Sequence, residues 1–187
     1  MSQQRNSWFP LIEEADMAPD VRALCEKARD KTGVVPNVFR SYAWKPERFL
    51  KWFAHFRDVM RGSDGLSEAD REMIGVVVSA ENRCLYCLVA HGAALRELLD
   101  DPIVAGQIAA DYRRAALDPK RRAMCDFAVK LTRAPYEVEE GDIKHLRDVG
   151  FDESDLWDVA EVAAQFNFSN RMASASGMMP NAEYYPK

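Results

Sequence analysis

Two cysteines and a histidine lie close together in ENRCLYCLVAH, residues 81–91. Cys84 and Cys87 are three residues apart, and His91 follows Cys87 by four. On a helix each residue advances about 100°, so the three side chains fall within an arc of roughly 60° and share one face. An imidazole can contact a sulfur four residues away, and two cysteines three residues apart can close a disulfide with modest adjustment. The spacing therefore predicts a dithiol with its own base.

Such a dithiol needs an activated sulfur and a proton donor. The unpaired amides and the dipole at a helix start favour a thiolate. Lowering a thiol pKa from about 8.5 to about 7 raises the thiolate fraction about fifteenfold, but nucleophilicity falls about four- to sixfold. Because the net gain in the reactivity of the thiol is small, rapid peroxide reduction must also protonate the departing oxygen. His91 is one candidate donor, and Glu72 and Glu81 are nearby carboxylates that could orient or recharge it.

Helices are predicted to position these residues, because strand patterns are nearly absent. Residues 46–62 carry apolar side chains at helical spacing after a proline in the first turn. Residues 66–80 open with Ser67 as an N-cap and Asp70 three residues later. Residues 81–83 indicate a break, after which a new apolar stripe begins. The cysteine motif is therefore expected at the start of a helix.

Further helix starts are predicted at acidic residues, which favour the positive end of a helix dipole. They are Asp101, Asp118 and Asp152. The last helix is expected over roughly residues 155–176. The stretches beginning at Leu66 and Leu117 place Leu, Arg and Met at matching offsets, which indicates a weak internal helix-pair repeat. The fold class predicted from these patterns is all-α.

The whole chain, 1–187, is expected to form a single domain, since no low-complexity linker divides it. We place its core at about 36–177, with an N-terminal extension over 1–35 and a loose C-terminal tail over 178–187. Two further cysteines, Cys25 and Cys125, occupy apolar positions of helices and are predicted to pack as small hydrophobic residues.

Composition narrows the choice of partners. The chain has 48% hydrophobic and 29% charged residues and a net charge of −5, with Lys and Arg scattered among acids. Because no basic face is predicted, nucleic acid is not an expected partner. No apolar run approaches the ~18 residues that would span a bilayer, and the start does not resemble a secretory signal. We therefore expect no membrane association and a cytoplasmic location.

The segment EMIGVVVSAENRCLYCLVAH resembles the core of the alkylhydroperoxidase D family, within the carboxymuconolactone decarboxylase-like superfamily. The family pattern is a glutamate, about a dozen residues and then CxxCxxxH, which Glu72, Cys84, Cys87 and His91 match. LDPKRRAMCDFAVKLTR and FNFSNRMASASG are similar to members called peroxidase-related proteins. The resemblance implies the alkylhydroperoxidase D-like helical fold and a homo-oligomer, commonly a hexamer and otherwise a trimer or dimer.

The same resemblance implies a thiol-dependent peroxidase of the peroxiredoxin type that needs no bound cofactor or metal. It implies that Cys87 attacks a hydroperoxide, Cys84 resolves the product as a disulfide, and Glu72 and His91 relay protons. A dithiol protein or carrier would then supply the reducing equivalents. Tyr86 departs from the family, whose members with a defined relay often have histidine there. A phenol of pKa about 10 can donate a hydrogen bond in support, but it shuttles protons less readily.

Other interpretations stay open. The dithiol could be a disulfide relay or redox sensor that docks a partner without peroxide turnover. The fold could instead serve a ligand-binding or decarboxylase-like relative whose cysteines merely pack. Cys84, Cys87 and His91 could also supply three ligands to zinc.

Two other groups of residues allow more than one interpretation from sequence. One is an aromatic set that could be core or could line an apolar pocket over the cysteines, namely Trp44, Phe49, Trp52, Phe53 and Phe56. The other is polar and lies on a largely apolar helix, namely Asn167, Asn170 and Arg171. Buried polar groups need partners, so we expect these three to hold subunits or a loop together rather than to act in catalysis.

Overall fold

The computed structural model describes residues 6–63 and 65–185. Over these residues the chain forms nine α-helices and no strand, which confirms the all-α prediction. The helices are α1 (Pro19–Thr32), α2 (Asn37–Tyr42), α3 (Pro46–Val59), α4 (Glu68–Glu81), α5 (Leu85–Leu99), α6 (Pro102–Asp111), α7 (Pro119–Arg133), α8 (Glu140–Asp148) and α9 (Glu153–Ser176). None of these helices is both long and apolar enough to cross a membrane.

The predicted helix starts are confirmed by side-chain caps. At α4 the Ser67 hydroxyl accepts a hydrogen bond from the Asp70 amide, and the Asp70 carboxylate accepts one from the Ser67 amide. Aspartate side chains accept amide hydrogen bonds in the same way at α6, α7 and α9; these residues are Asp101, Asp118 and Asp152. Because such a cap typically contributes about 1 kcal/mol, these short sequence signals fix where each helix begins.

Helix α4 is the centre of the fold. It packs against α5, α6, α7 and α9, and its middle turns are buried on every side. Gly75 allows a close approach of α9, because a methyl group there would lie 2.3 Å from Cζ of Phe166. The two helices that carry the candidate site, α4 and α5, are therefore held on a rigid platform.

The C-terminal segment is held more firmly than its sequence predicts. The Asn37 side chain donates a hydrogen bond to the Met179 carbonyl at 2.9 Å, and the Asn37 amide donates to Oδ1 of Asn181 at 2.8 Å. The Arg96 guanidinium donates to the Tyr184 carbonyl at 2.8 Å. The expectation of a loose tail is thus wrong up to residue 185, because side chains of α2 and α5 tie it down. The last two residues lie outside the described part of the chain.

Candidate active site

The dithiol motif sits at the junction of α4 and α5. Arg83 adopts a left-handed conformation with φ 52°, which turns the chain between the two helices. Cys84 is the N-cap residue of α5, and its amide donates to the Ser79 carbonyl at 2.9 Å. Cys87 lies one turn further along. Both are free thiols, and only 2% of Cys84 and 4% of Cys87 is exposed.

His91, one turn after Cys87, is paired with Glu72 on the neighbouring helix. Nδ1 of His91 lies 2.7 Å from Oε2 of Glu72, and both side chains are largely buried. Because a carboxylate oxygen accepts, Nδ1 of His91 donates to Glu72, and Nε2 is the ring nitrogen left to exchange a proton with a substrate. The Phe166 ring packs edge-on against the imidazole with centroids 4.5 Å apart. Glu81, the other carboxylate considered, forms an ion pair with Arg133 instead.

The two thiols have opposite pKa shifts. The pKa of Cys84 falls to about 6, chiefly because the Cys87 thiol donates a hydrogen bond to its sulfur, while burial opposes the change. The Cys87 and Tyr86 amides and the Ser174 hydroxyl also favour the Cys84 thiolate. The pKa of Cys87 rises well above its usual value, because its proton bonds to Cys84, because it is buried and because the Cys84 thiolate is negative. The pair therefore holds one proton near neutral pH.

Two polar residues of α9 complete the surroundings of the sulfurs. Nδ2 of Asn170 donates to the Ser79 hydroxyl, and its Oδ1 accepts from Asn82, each at 3.0 Å. Asn170 also acts on Cys87, whose pKa it lowers against the larger raising effects. The sequence marked Asn170 as a buried polar residue but did not connect it with the thiols. Nothing in the local pattern indicated Ser174.

Tyr86 is a buried structural support. Its hydroxyl accepts a hydrogen bond from the Val38 amide at 3.3 Å and donates toward the Tyr184 hydroxyl. Burial raises the pKa of Tyr86 well above its usual range, so it stays neutral. Burial also raises the pKa of Tyr184. Tyr86 therefore joins α5 to α2 and to the C-terminal segment.

A cavity of about 250 Å³ opens over the motif. Cys87, His91 and Glu72 contribute to its wall, and the rest is mostly apolar and aromatic. The aromatic residues that line it are Phe39, Tyr42, Trp52, Phe53, Phe56, Tyr86 and Tyr184. Part of the aromatic set identified in the sequence thus lines a pocket over the cysteines, whereas Phe49 is core and Trp44 is exposed.

The zinc interpretation finds little support in this arrangement. Among the described residues, no group of three or more His, Cys, Asp or Glu side chains is placed to hold a metal ion. Fold and site together define an all-α protein with a buried CxxC dithiol, a His–Glu pair and an aromatic cavity.

Comparison with known proteins gives the family. Residues 47–102 match the carboxymuconolactone decarboxylase family. The chain is 44% identical to the alkylhydroperoxidase AhpD core, a peroxidase-related protein from Ralstonia eutropha JMP134, over 99% of this chain and 100% of that one, with a TM-score of 0.93. A peroxidase-related protein from Silicibacter sp. TM1040 is also 44% identical, over 100% and 98%, with the same TM-score. The chain belongs to this alkylhydroperoxidase D-like, carboxymuconolactone decarboxylase-like family.

A more distant structure shares the fold alone. A variant of the debrominase Bmp8 in complex with 2,3,4-tribromopyrrole is 14% identical, over 98% of this chain and 95% of that one, with a TM-score of 0.80. No curated protein matches the chain.

Proposed function

We propose that this protein is a thiol-dependent peroxidase that reduces organic hydroperoxides through a Cys84–Cys87 dithiol/disulfide cycle. The observation that carries the proposal is the shared cavity wall, where Cys87 lies with the His91–Glu72 pair. A nucleophilic sulfur, a base and an orienting carboxylate thus meet where a small substrate can enter. Membership of a family of peroxidase-related proteins supports the same general chemistry.

In the first step, the Cys87 sulfur attacks the terminal oxygen of the hydroperoxide. Its proton passes to the Cys84 thiolate, with which it is already hydrogen-bonded. The S–O bond forms as the O–O bond breaks, which oxidises Cys87 to a sulfenic acid and reduces the peroxide to an alcohol. The departing alkoxide takes a proton from imidazolium at His91, and Glu72 stabilises that charge.

In the second step, the Cys84 sulfur attacks the Cys87 sulfenic acid. A disulfide forms, and the hydroxyl leaves as water after it takes the proton that Cys84 had received. The two residues lie at positions i and i+3 at a helix start, so the bond requires only local adjustment. Overall, one dithiol and one hydroperoxide give one disulfide, one alcohol and one water.

The cavity wall favours an apolar substrate. Aromatic rings surround Cys87, and Trp52 and Phe56 stack with centroids 5.4 Å apart. Burying a hydrocarbon group against such a wall is favourable by roughly 25 cal/mol per Å² of apolar surface. We therefore expect hydroperoxides with an alkyl or aryl group to react faster than hydrogen peroxide.

A second candidate function is a disulfide relay or redox sensor that docks a partner without peroxide turnover. The neutral Tyr86 at the position before Cys87 favours this alternative, because a phenol with a raised pKa does not serve as a proton relay near neutral pH. The two functions differ in whether peroxide consumption depends on Cys87.

The test is the steady-state consumption of cumene hydroperoxide with excess dithiothreitol. We expect Cys87→Ala to abolish turnover and Cys125→Ala to retain it, since Cys125 is buried in the core away from the motif. Full turnover by Cys87→Ala would rule out the peroxidase. Absence of turnover in the wild-type protein would favour the relay.

A further inference from the structure

The two sulfurs of the motif have different surroundings. Cys87 contributes to the aromatic cavity. Cys84 instead lies against the Ser174 hydroxyl of α9, and Ser174 is exposed. Leu85, the residue after Cys84, is 47% exposed although it is apolar. Ser174 and Leu85 therefore mark the part of the molecular surface that adjoins Cys84.

Arginines converge on this surface. The Arg171 guanidinium donates to Oδ1 of Asn167 at 2.8 Å, and the same oxygen accepts from the Asn82 side chain at 3.0 Å. Asn82 directly precedes Arg83 in the chain. Nδ2 of Asn167 donates to Oγ1 of Thr132 at 2.9 Å, and Arg133 forms an ion pair with Glu81, the residue before Asn82. All three arginines are exposed.

The positive charge of these arginines is opposite in sign to the net charge of the chain. The chain carries a net charge of −5. Among the described residues, Glu81 is the one carboxylate that forms an ion pair with these arginines, through Arg133. In the described part of the chain, no carboxylate forms an ion pair with Arg83 or Arg171, and Leu85 is an exposed apolar side chain. A partner surface with carboxylates around an apolar contact would complement this combination.

We propose that the surface formed by Arg83, Leu85, Arg133, Arg171 and Ser174, here called the Cys84 face, docks an acidic protein that carries a dithiol and reduces the Cys84–Cys87 disulfide. This inference rests on the proposed dithiol/disulfide cycle and names its reductant by chemical class. None of the residues of the Cys84 face lines the cavity to which Cys87 contributes. Peroxide and reductant would not compete for the same space.

The exchange balances as two thiol–disulfide steps. A thiolate of the partner attacks the Cys84 sulfur, a mixed disulfide forms, and Cys87 leaves and takes up a proton. The partner's second cysteine, as a thiolate, then attacks the partner's first sulfur, which is bonded to Cys84 in the mixed disulfide. This step forms the partner's disulfide and releases Cys84 as a thiolate. The partner's dithiol loses two electrons and becomes a disulfide. One of its two protons ends on Cys87 and the other in solvent.

The test compares two reductants on the same oxidised protein. The Cys84–Cys87 disulfide is prepared with diamide, so the measurement does not depend on peroxide activity. Its rate of reduction is measured by rapid alkylation and mass analysis, with a reduced acidic thioredoxin and with uncharged dithiothreitol. The ratio of the two rates cancels changes in the intrinsic reactivity of the disulfide.

The variants are two matched double substitutions. Arg83→Gln with Arg171→Gln removes two charges from the Cys84 face. Lys144→Gln with Arg147→Gln removes two exposed charges from α8, where Arg147 pairs with Glu153 in the first turn of α9. Position 171 is 18 residues further along that helix, which corresponds to about 27 Å.

We expect the rate ratio to fall about fivefold in the first double variant at low salt and to stay within about twofold of wild type in the second. The difference should shrink at 0.5 M salt, since exposed charges are screened there. Equal ratios in both variants would overturn the Cys84 face as the docking surface. If peroxide fails to oxidise the pair while the diamide-made disulfide shows the expected ratios, the peroxidase proposal fails and the docking surface stands.

Discussion

Nδ1 of His91 lies 2.7 Å from Oε2 of Glu72, and this contact joins α5 to α4 in the wall of the aromatic cavity. The two residues are 19 positions apart in the chain, and the packing of α4 against α5 brings them together. The contact fixes the ring orientation and the tautomer of His91. The proposed peroxidase chemistry assigns its proton relay to this pair.

The first prediction concerns this relay. Glu72→Gln should slow oxidation of the dithiol by cumene hydroperoxide about 100-fold, because general acid catalysis typically contributes 10² or more. Glu81→Gln is the matched control. It breaks the exposed ion pair with Arg133 and should leave the rate within about twofold. The measurement is stopped-flow oxidation of the reduced protein, and equal rates for both variants would contradict a role for Glu72.

The second prediction concerns pH. The pKa of Cys84 is about 6, below its usual value, so its thiolate is present above that pH and is lost as pH falls through it. Alkylation of Cys84 by iodoacetamide should therefore show an inflection near pH 6. In Cys87→Ala the inflection should move upward, because the hydrogen bond that is the largest cause of the shift is gone. An unchanged inflection in that variant would show that the two thiols do not share a proton.

The third prediction concerns the support behind His91. In Gly75→Ala the new methyl group would lie 2.3 Å from Phe166, so the ring must move. Overpacking of this kind should lower the free energy of unfolding by about 1–3 kcal/mol, and displacement of His91 should slow peroxide reduction. Gly106→Ala on α6, which meets nothing within 4 Å, should be neutral or stabilising by up to about 1 kcal/mol. Urea unfolding of both variants decides the matter, and equal stabilities would refute the close contact.

The fourth prediction tests whether the role of Tyr86 is structural or catalytic. Tyr86→Phe leaves the Val38 amide without its acceptor, so the free energy of unfolding should fall by about 1 kcal/mol. The shape of the pH profile for peroxide oxidation should not change, since a phenol whose pKa is raised by burial does not titrate near neutrality. A profile that loses an inflection in this variant would assign Tyr86 to the relay instead.

The parts of the fold that the sequence predicted are those with short-range causes. Helix starts at Ser67 and Asp101 depend on a side chain and an amide two or three residues away, so the local pattern is sufficient. The shared face of Cys84, Cys87 and His91 also follows from short-range spacing along one helix. The contact of His91 with Glu72 was predicted through the family pattern rather than through packing.

What the sequence did not predict depends on distant contacts. Ser174 reaches Cys84 only because α9 packs across the start of α5. Tyr184 reaches the cavity because Arg96 and Asn37 hold the C-terminal segment. The sequence also did not predict which of the two thiols has the lower pKa, because that depends on which sulfur donates the hydrogen bond.

The most direct test of the central claim is a map of free thiols after a single oxidation. Fully reduced protein receives one equivalent of cumene hydroperoxide, is quenched within seconds by an alkylating reagent and is analysed by peptide mass. The account predicts one disulfide between Cys84 and Cys87, with Cys25 and Cys125 still alkylated as free thiols. Full alkylation of all four cysteines would contradict it.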